Sequence, residues 1–474
     1  MGKAMSREEI HNKRWLIWTM VAVITFANCV DSSSLNVALP IIADQLGVSM
    51  AQVELVVTIN LLTVIGFILS FGRLGDIKGK DKIFPIGIAI FFAGSVISFF
   101  AHSYVMLLGG RLVAGVGSAI TMALNQGIIA EVFLNGERGK AMGMNGSLVA
   151  VGMMLGPSIG GFIVDLCGWN AIFLIHVPIC IIDFICCLLF LPNLNRDSNL
   201  KIDARGSFGF AIVIIMIYLA VKMLQKGPEY YLTCLLLLIL AALIGFFFYK
   251  SERKTQDPML DFSLFAIKIF TVSLFCSFLS FFAISSNNFI VPFYLQKVVG
   301  YSASTAGQLM MIYSIIMAVV APFSGALADK VGAEILGVIG LSTGAVGLLI
   351  MSFLGADSSV WHYIVGTVLM SFGFSTFQSP NTTLIMGTVP PNKTGAAGSM
   401  NGLTRNLGNI FGISLSTALL YNLMSLKLGY STTTFVEGQN DAFMFGMHGV
   451  YLLALGLVLI GLVLSIVRLK NKAK

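Results

Sequence analysis

Charge is what this chain has least of. Lys, Arg, Asp and Glu make up 11% of its 474 residues, where a soluble domain carries about 25%. That shortage excludes an ordinary soluble enzyme. Disorder is excluded from the opposite side, because 57% of the residues are hydrophobic and disordered chains are poor in them. Cysteine is sparse: Cys29, Cys167, Cys180, Cys186, Cys187, Cys234 and Cys276 are scattered mostly inside apolar stretches. No spacing among them suggests a metal site or a disulfide framework, so they read as soft packing residues. HExxH, GxSxG and P-loop patterns are also missing, which leaves the corresponding hydrolase chemistries without their machinery. No basic, aromatic-rich platform is present for nucleic acid.

What is abundant is hydrophobic length. About 20 apolar residues span a bilayer. Stretches of that order recur fourteen times, near 15–39, 53–71, 83–101, 105–131, 141–165, 171–191, 207–224, 230–249, 266–294, 304–327, 335–354, 361–389, 397–424 and 446–468. Pro, Gly or charge marks the breaks. Each stretch is uniformly apolar instead of alternating, so helices are expected and a barrel is not. The first stretch follows a charged segment, Met1 to Arg14. It is too long for a signal h-region and no A-x-A-like site follows, so it reads as a spanning helix that stays.

Basic residues orient the spans. With the amino terminus in the cytoplasm, inner segments hold 23 of the 29 Lys and Arg residues. Only Lys222, Lys226, Lys297 and Lys427 fall outside, while Arg111 and Arg405 lie within apolar segments. This is the positive-inside pattern, and it predicts that both termini face the cytoplasm. The net charge of +7 then reflects topology and anionic lipid.

The chain also repeats itself. Gly72-Arg73-Leu74-Gly75-Asp76-Ile77-Lys78-Gly79 returns as Gly325-Ala326-Leu327-Ala328-Asp329-Lys330-Val331-Gly332, 253 positions later, and Gly47 and Ser49 pair with Gly300 and Ser302 at the same offset. At an offset of 256, Met144-Asn145-Gly146 matches Met400-Asn401-Gly402, Asn125 matches Asn381, Gly152 matches Gly408 and Gly156 matches Gly412. Glycines that merely ease packing would not keep register across several helices. Two parallel six-helix halves, 1–206 and 250–474, with two inserted helices at 207–249, account for the pattern, and parallel repeats mark one class of secondary transporter.

At this point the motifs resemble the major facilitator superfamily, and within it the fourteen-helix drug:proton antiporter family. Val30-Asp31-Ser32-Ser33-Ser34-Leu35-Asn36-Val37-Ala38-Leu39-Pro40 is similar to that family's L-D-x-T-I-V-N-V-A-L-P signature. Gly72, Leu74, Asp76, Gly79 and Lys80 match the superfamily's G-x-L-x-D-x-x-G-R-K loop. Arg111 to Gly117 resembles the R-x-x-x-G-x-G proton-coupling motif, and Gly152, Gly156, Pro157, Gly160 and Gly161 resemble the antiporter motif. Asp257-Pro258-Met259-Leu260-Asp261, before the ninth helix, is also typical of the family. Departures are Ser32 to Ser34, Asp81 after Lys80, and His176 where the family usually has Asn. The resemblance implies an all-α polytopic membrane protein of the major facilitator fold. It also implies proton-coupled export of amphipathic, cationic compounds across a bacterial cytoplasmic membrane. No cofactor, metal or nucleic acid is expected, only substrate, protons and lipid, and the chain is expected to act as a monomer.

Depth nominates the proton-handling residues. Asp31 lies sixteen residues beyond Trp15, about 24 Å up a helix rising from the inner face. Arg111 is about seven residues into a descending helix, roughly 10 Å below the outer face. The two thus reach nearly equal depth, where an ionisable residue is expensive and points to function. Changing their separation would load and release a proton. Asp183, midway through helix six with His176 seven residues earlier, is expected to form a packing pair with that histidine or to serve as a second proton site.

Other roles follow from the resemblance. Asp76 and Asp329 are expected at the amino ends of helices thirteen and five, where the helix dipole favours a carboxylate. There, with Gly72, Gly79, Lys80, Gly325 and Gly332, they would act as conformational-switch loops. Glycines at helical spacing around Pro157 offer a smooth face for close packing. Asn36, Asn125, Gln126, Asn287, Phe374, Gln378, Asn381 and Arg405 are the candidate substrate-cavity residues, amides and an aromatic suited to bulky amphipathic solutes. An endogenous metabolite, lipid or organic anion is the alternative cargo. A non-transporting sensor or scaffold is disfavoured by the paired loops and Asp31.

Overall fold

The computed structural model describes residues 7–133, 137–193, 204–225, 228–253, 262–390 and 394–472. Among them every regular element is helical. The α-helices are α1 (Arg7–Leu46), α2 (Met50–Lys78), α3 (Lys80–Phe99), α4 (Tyr104–Val132), α5 (Arg138–Cys167), α6 (His176–Phe190) and α7 (Ala204–Gln225). They continue with α8 (Tyr231–Glu252), α9 (Lys268–Phe293), α10 (Ala303–Val331), α11 (Ala333–Met351), α12 (Val360–Gly387), α13 (Thr394–Leu428) and α14 (Asn440–Lys472). Among the described residues twelve stretches are long and apolar enough to cross a membrane, the fifth being α6 with the 3₁₀ turn Trp169–Ile175 before it. In α5 and α7 the apolar stretches are shorter, Val151–Cys167 and Gly209–Leu224.

The chain divides into two compact units, Met1–Val48 with Leu55–Ile214, and Ser49–Glu54 with Ile215–Lys474. In the first, α1 packs on α4, α5 and α6, and α3 packs on α4 and α6. In the second, α9 packs on α12, α13 and α14, α10 packs on α12, and α11 packs on α12 and α14.

Lipid removes the usual hydrophobic incentive for one apolar helix to bury another, so close backbone approach by small residues must hold such helices together. The seams show this, and they carry the sequence repeat into three dimensions. A Cβ on Gly117 of α4 would lie 2.3 Å from Phe91 N and 2.7 Å from Gly87 O of α3. In the second unit a Cβ on Gly373 of α12 would lie 2.2 Å from Gly344 N and 2.6 Å from Gly340 O of α11. The α3 and α11 residues are related by the offset of 253, and those of α4 and α12 by 256. Both offsets read from the sequence therefore describe one contact made twice.

The ends repeat too. Ser103 caps α4 by accepting from Met106 N, and Ser359 caps α12 by accepting from Trp361 N. A single residue separates α2 from α3 and α10 from α11. These are Gly79 and Gly332, at φ 100° and 99°, a region that a side chain would make costly.

Candidate functional site

The expected pair meets inside the first unit. Asp31 of α1 and Arg111 of α4 are each 3% exposed. Arg111 Nη1 donates to Asp31 Oδ1 at 2.9 Å and Oδ2 at 2.8 Å. Arg111 Nε donates to Val56 O of α2 at 3.3 Å, and the guanidinium carbon stands 5.7 Å from the centre of the Phe173 ring. The cation is thus held by a carboxylate, a carbonyl and an aromatic face, the combination a desolvated arginine requires.

His176 joins this group and not Asp183, which corrects the expected packing pair. Its Nδ1 lies 3.9 Å from Asp31 Oδ1, its ring is 5.7 Å edge-on from Phe91, and neither ring nitrogen makes a hydrogen bond among the described residues. His176, Cys180, Asp183 and Cys187 do share the buried face of α6. Two helical turns, however, separate His176 from Asp183 by about 10 Å of rise. Asp183 Oδ2 has no hydrogen-bond partner among the described residues.

A polar ladder continues from Asp31 toward the amino end of α1. Ser118 Oγ donates to Asn28 Oδ1 at 2.5 Å, Asn28 Nδ2 to Thr121 Oγ1 at 3.3 Å, and Asn125 Nδ2 to Thr25 Oγ1. Asn28, Ser118 and Thr121 were not anticipated. Their signal was available as period: Thr25, Asn28 and Asp31 recur every third residue on α1, and Arg111, Ser118 and Asn125 every seventh on α4, each a single helical face.

The glycine face of α5 lies on α1. A Cβ on Gly152 would come within 2.9 Å of Cys29 Cβ, on Gly156 within 1.8 Å of Ser33 Oγ, and on Gly160 within 2.7 Å of Ser34 Cβ. Gly161 is buried as well, and Pro157 sits inside the helix. The equivalents Gly408 and Gly412 of α13 meet the backbone of α9, at Phe278 O and Phe282 O.

Of the switch-loop residues, Lys80 gains an unanticipated partner, an ion pair with Glu131 at the end of α4. Gly72 and Gly325 are half-buried, as is Gly332. The side chains of Asp76 and Asp329 lie outside the described residues, as does that of Gln126.

Several of the candidate cavity residues are internally engaged. Phe374 is fully buried, its ring pressed on Gly344. It is a packing residue of the α11–α12 seam, not a cavity wall, because those backbones approach too closely to leave space. Asn381 Nδ2 donates to Ser273 O at 3.0 Å, tying α12 to α9 as its repeat partner Asn125 ties α4 to α1. Asn287 Oδ1 accepts from Tyr451 OH at 2.8 Å. Asn36, Gln378 and Arg405 are half-buried.

A second buried charge cluster, absent from the sequence reading, lies in the second unit. Glu54, in the first turns of α2, is 0% exposed. Lys222 Nζ of α7 donates to Glu54 Oε2 at 2.8 Å and to Ala51 O at 2.7 Å. Ser414 Oγ of α13 donates to Glu54 Oε1 at 2.6 Å.

The sequence profile of the Major Facilitator Superfamily matches residues 21–413 and 273–474. The riboflavin transporter RibZ of Clostridioides difficile (strain 630) is 33% identical over 463 residues, 98% of this chain and 99% of that protein. The multidrug transporter protein MdtP of Bacillus subtilis (strain 168) is 28% identical, over 90% of this chain and 79% of that one. Quinolone resistance protein NorB of Staphylococcus aureus (strain JH9) is 27% identical, over 87% and 90%. Among solved structures, a bacterial homologue of the human lysosomal transporter Spinster superposes with a TM-score of 0.67 at 16% identity, covering 96% of each chain.

Proposed function

Because this chain belongs to the Major Facilitator Superfamily, whose members here are transporters and not enzymes, we propose that it is a proton-coupled antiporter. It exports amphipathic organic compounds across a bacterial cytoplasmic membrane by alternating access of the halves 1–206 and 250–474. All fourteen helices span, and both termini are cytoplasmic. The observation that carries this reading is the buried grip of Arg111 on Asp31. A proton arriving on Asp31 cancels the charge that Arg111 holds and frees the guanidinium to re-pair. Ionisation draws the two helices together again. Coupling needs only that the two states of Asp31 face opposite sides of the membrane.

For cargo, the multidrug and quinolone-resistance names of two relatives support bulky, largely planar cationic or zwitterionic drugs. The riboflavin transporter, similar over nearly the whole length of both chains, supports a second reading in which the solute is a planar metabolite. Ethidium and riboflavin are therefore measured side by side in proteoliposomes, with and without a pH gradient, for wild type and Asp31→Asn. Gradient-driven ethidium movement that Asp31→Asn abolishes is the expected result. Movement of riboflavin alone selects the metabolite reading, and intact coupling in Asp31→Asn removes Asp31 as the carrier. Removing one member of a buried pair costs about 3–5 kcal/mol, so Asp31→Glu, which keeps the charge, serves as the folding control.

A further inference from the structure

The first of the inserted helices, α7, touches α2 in two places. In the first unit Ala211 sits 3.4 Å from where a Cβ on Gly66 of α2 would lie. In the second, Lys222 reaches the first turns of the same α2 and closes on a carboxylate with no solvent exposure. A packing helix needs neither a lysine nor a buried glutamate. Apolar residues of similar size would fill the site at least as stably, since two ions must be desolvated to make the pair.

We propose that Glu54 is a second proton-binding site, and that Lys222 reports its charge to α7 and so draws the inserted pair into the conformational cycle. This rests on the transporter reading for its biological meaning, though not for its chemistry. With Glu54 ionised, its two oxygens accept from Lys222 and Ser414, and α2, α7 and α13 are tied at one point. A proton added to the carboxylate cancels the charge that pairs with Lys222 Nζ and weakens the ammonium's hold on Oε2. The ammonium then keeps only Ala51 O and the Tyr218 ring, 5.7 Å from Nζ. The tie loosens on the α7 side first. Among the described groups that face Glu54 are Lys222 from α7, whose ammonium lies over the Tyr218 ring, and Ser414 and Tyr421 from α13.

The test is hydrogen–deuterium exchange on the full-length protein in lipid nanodiscs, in mildly acidic and mildly alkaline buffer. Rates are corrected for the intrinsic pH dependence of amide exchange. Peptides covering the last turns of α7 and the first turn of α2 are followed in wild type, Glu54→Gln, Lys222→Met and the double variant. In wild type, exchange in both peptides rises several-fold on acidification. In Glu54→Gln it is already raised and no longer responds to pH. The double variant keeps the fold, because both charges leave together, and also loses the response. A pH-independent wild type overturns the proposal, as does a wild-type response surviving in Glu54→Gln or in the double variant. Proton-coupled transport is measured on the same samples. If neither ethidium nor riboflavin moves while the exchange response stands, the function reading fails and Glu54 remains a proton site.

Discussion

Gly156 shows how little room a single position can have. A methyl group there would lie 1.8 Å from Ser33 Oγ, which can rotate away, and 3.0 Å from Ser34 N, which cannot. Gly156→Ala therefore forces α1 and α5 apart, at about 1–3 kcal/mol, the range for overpacking a tight interface. The melting temperature of the purified protein should fall, while Gly456→Ala, with nothing within 4 Å of its Cβ, should leave it unchanged. Equal shifts would mean the seam is looser than described. His176 gives the opposite expectation. Its ring nitrogens have no hydrogen bond among the described residues, and an unmet buried polar group costs about 1–3 kcal/mol. His176→Phe keeps the edge contact with Phe91 and should hold or raise the melting temperature. A marked fall would reveal a partner that stabilises the ring.

Helices extend this argument to pairs. Lys80 lies along α4 where Gly127 leaves a groove, a Cβ there standing 2.7 Å from Lys80 Cε, and reaches Glu131. The lysine side chain is 9% exposed and the glutamate 20%. Solvent screening at the glutamate places the pair nearer the worth of a surface bridge, up to about 1 kcal/mol, than that of a fully buried one. Glu131→Gln should lower the melting temperature slightly, and the exchange Lys80→Glu with Glu131→Lys should recover part of the loss. No recovery would mean that Gly127 and the chain direction, not charge, fix the lysine. Helix-scale features were also the most legible in the sequence. Equal depth brought Asp31 to Arg111, because rise per residue is fixed and both helices are long. Depth says nothing about azimuth, however, which is why Phe374 was placed in a cavity when it faces α11. Glu54 escaped notice because it stands at the edge of an apolar run, where a carboxylate reads as a helix end. Its partners lie 168 and 360 positions away, beyond any local pattern.

For the whole molecule, the repeat was readable because two offsets, 253 and 256, survive in the contacts of α3 with α4 and of α11 with α12. The proposed count of fourteen crossings can be tested at α5 and α7. Cys167, exposed at the end of α5, decides one of them. If α5 crosses from the cytoplasm, a membrane-impermeant maleimide added to intact cells should label wild type and not Cys167→Ser. Glu229→Cys, just before α8 and exposed, tests α7 in the same way. Labelling of either site only after the cells are opened would remove that helix from the count of spans.

The lone glycine joining α2 to α3 also constrains how the protein is made. Lys80, the first residue of α3, finds its counter-charge on Glu131, 51 residues further along the chain. Until that much more has been synthesised, the ribosome has delivered a helical hairpin whose tip carries Lys78, Lys80 and Lys82 with no Glu131 to answer them. On the proposed topology such a tip stays at the anionic cytoplasmic surface, and the hairpin is moored there while α4 emerges.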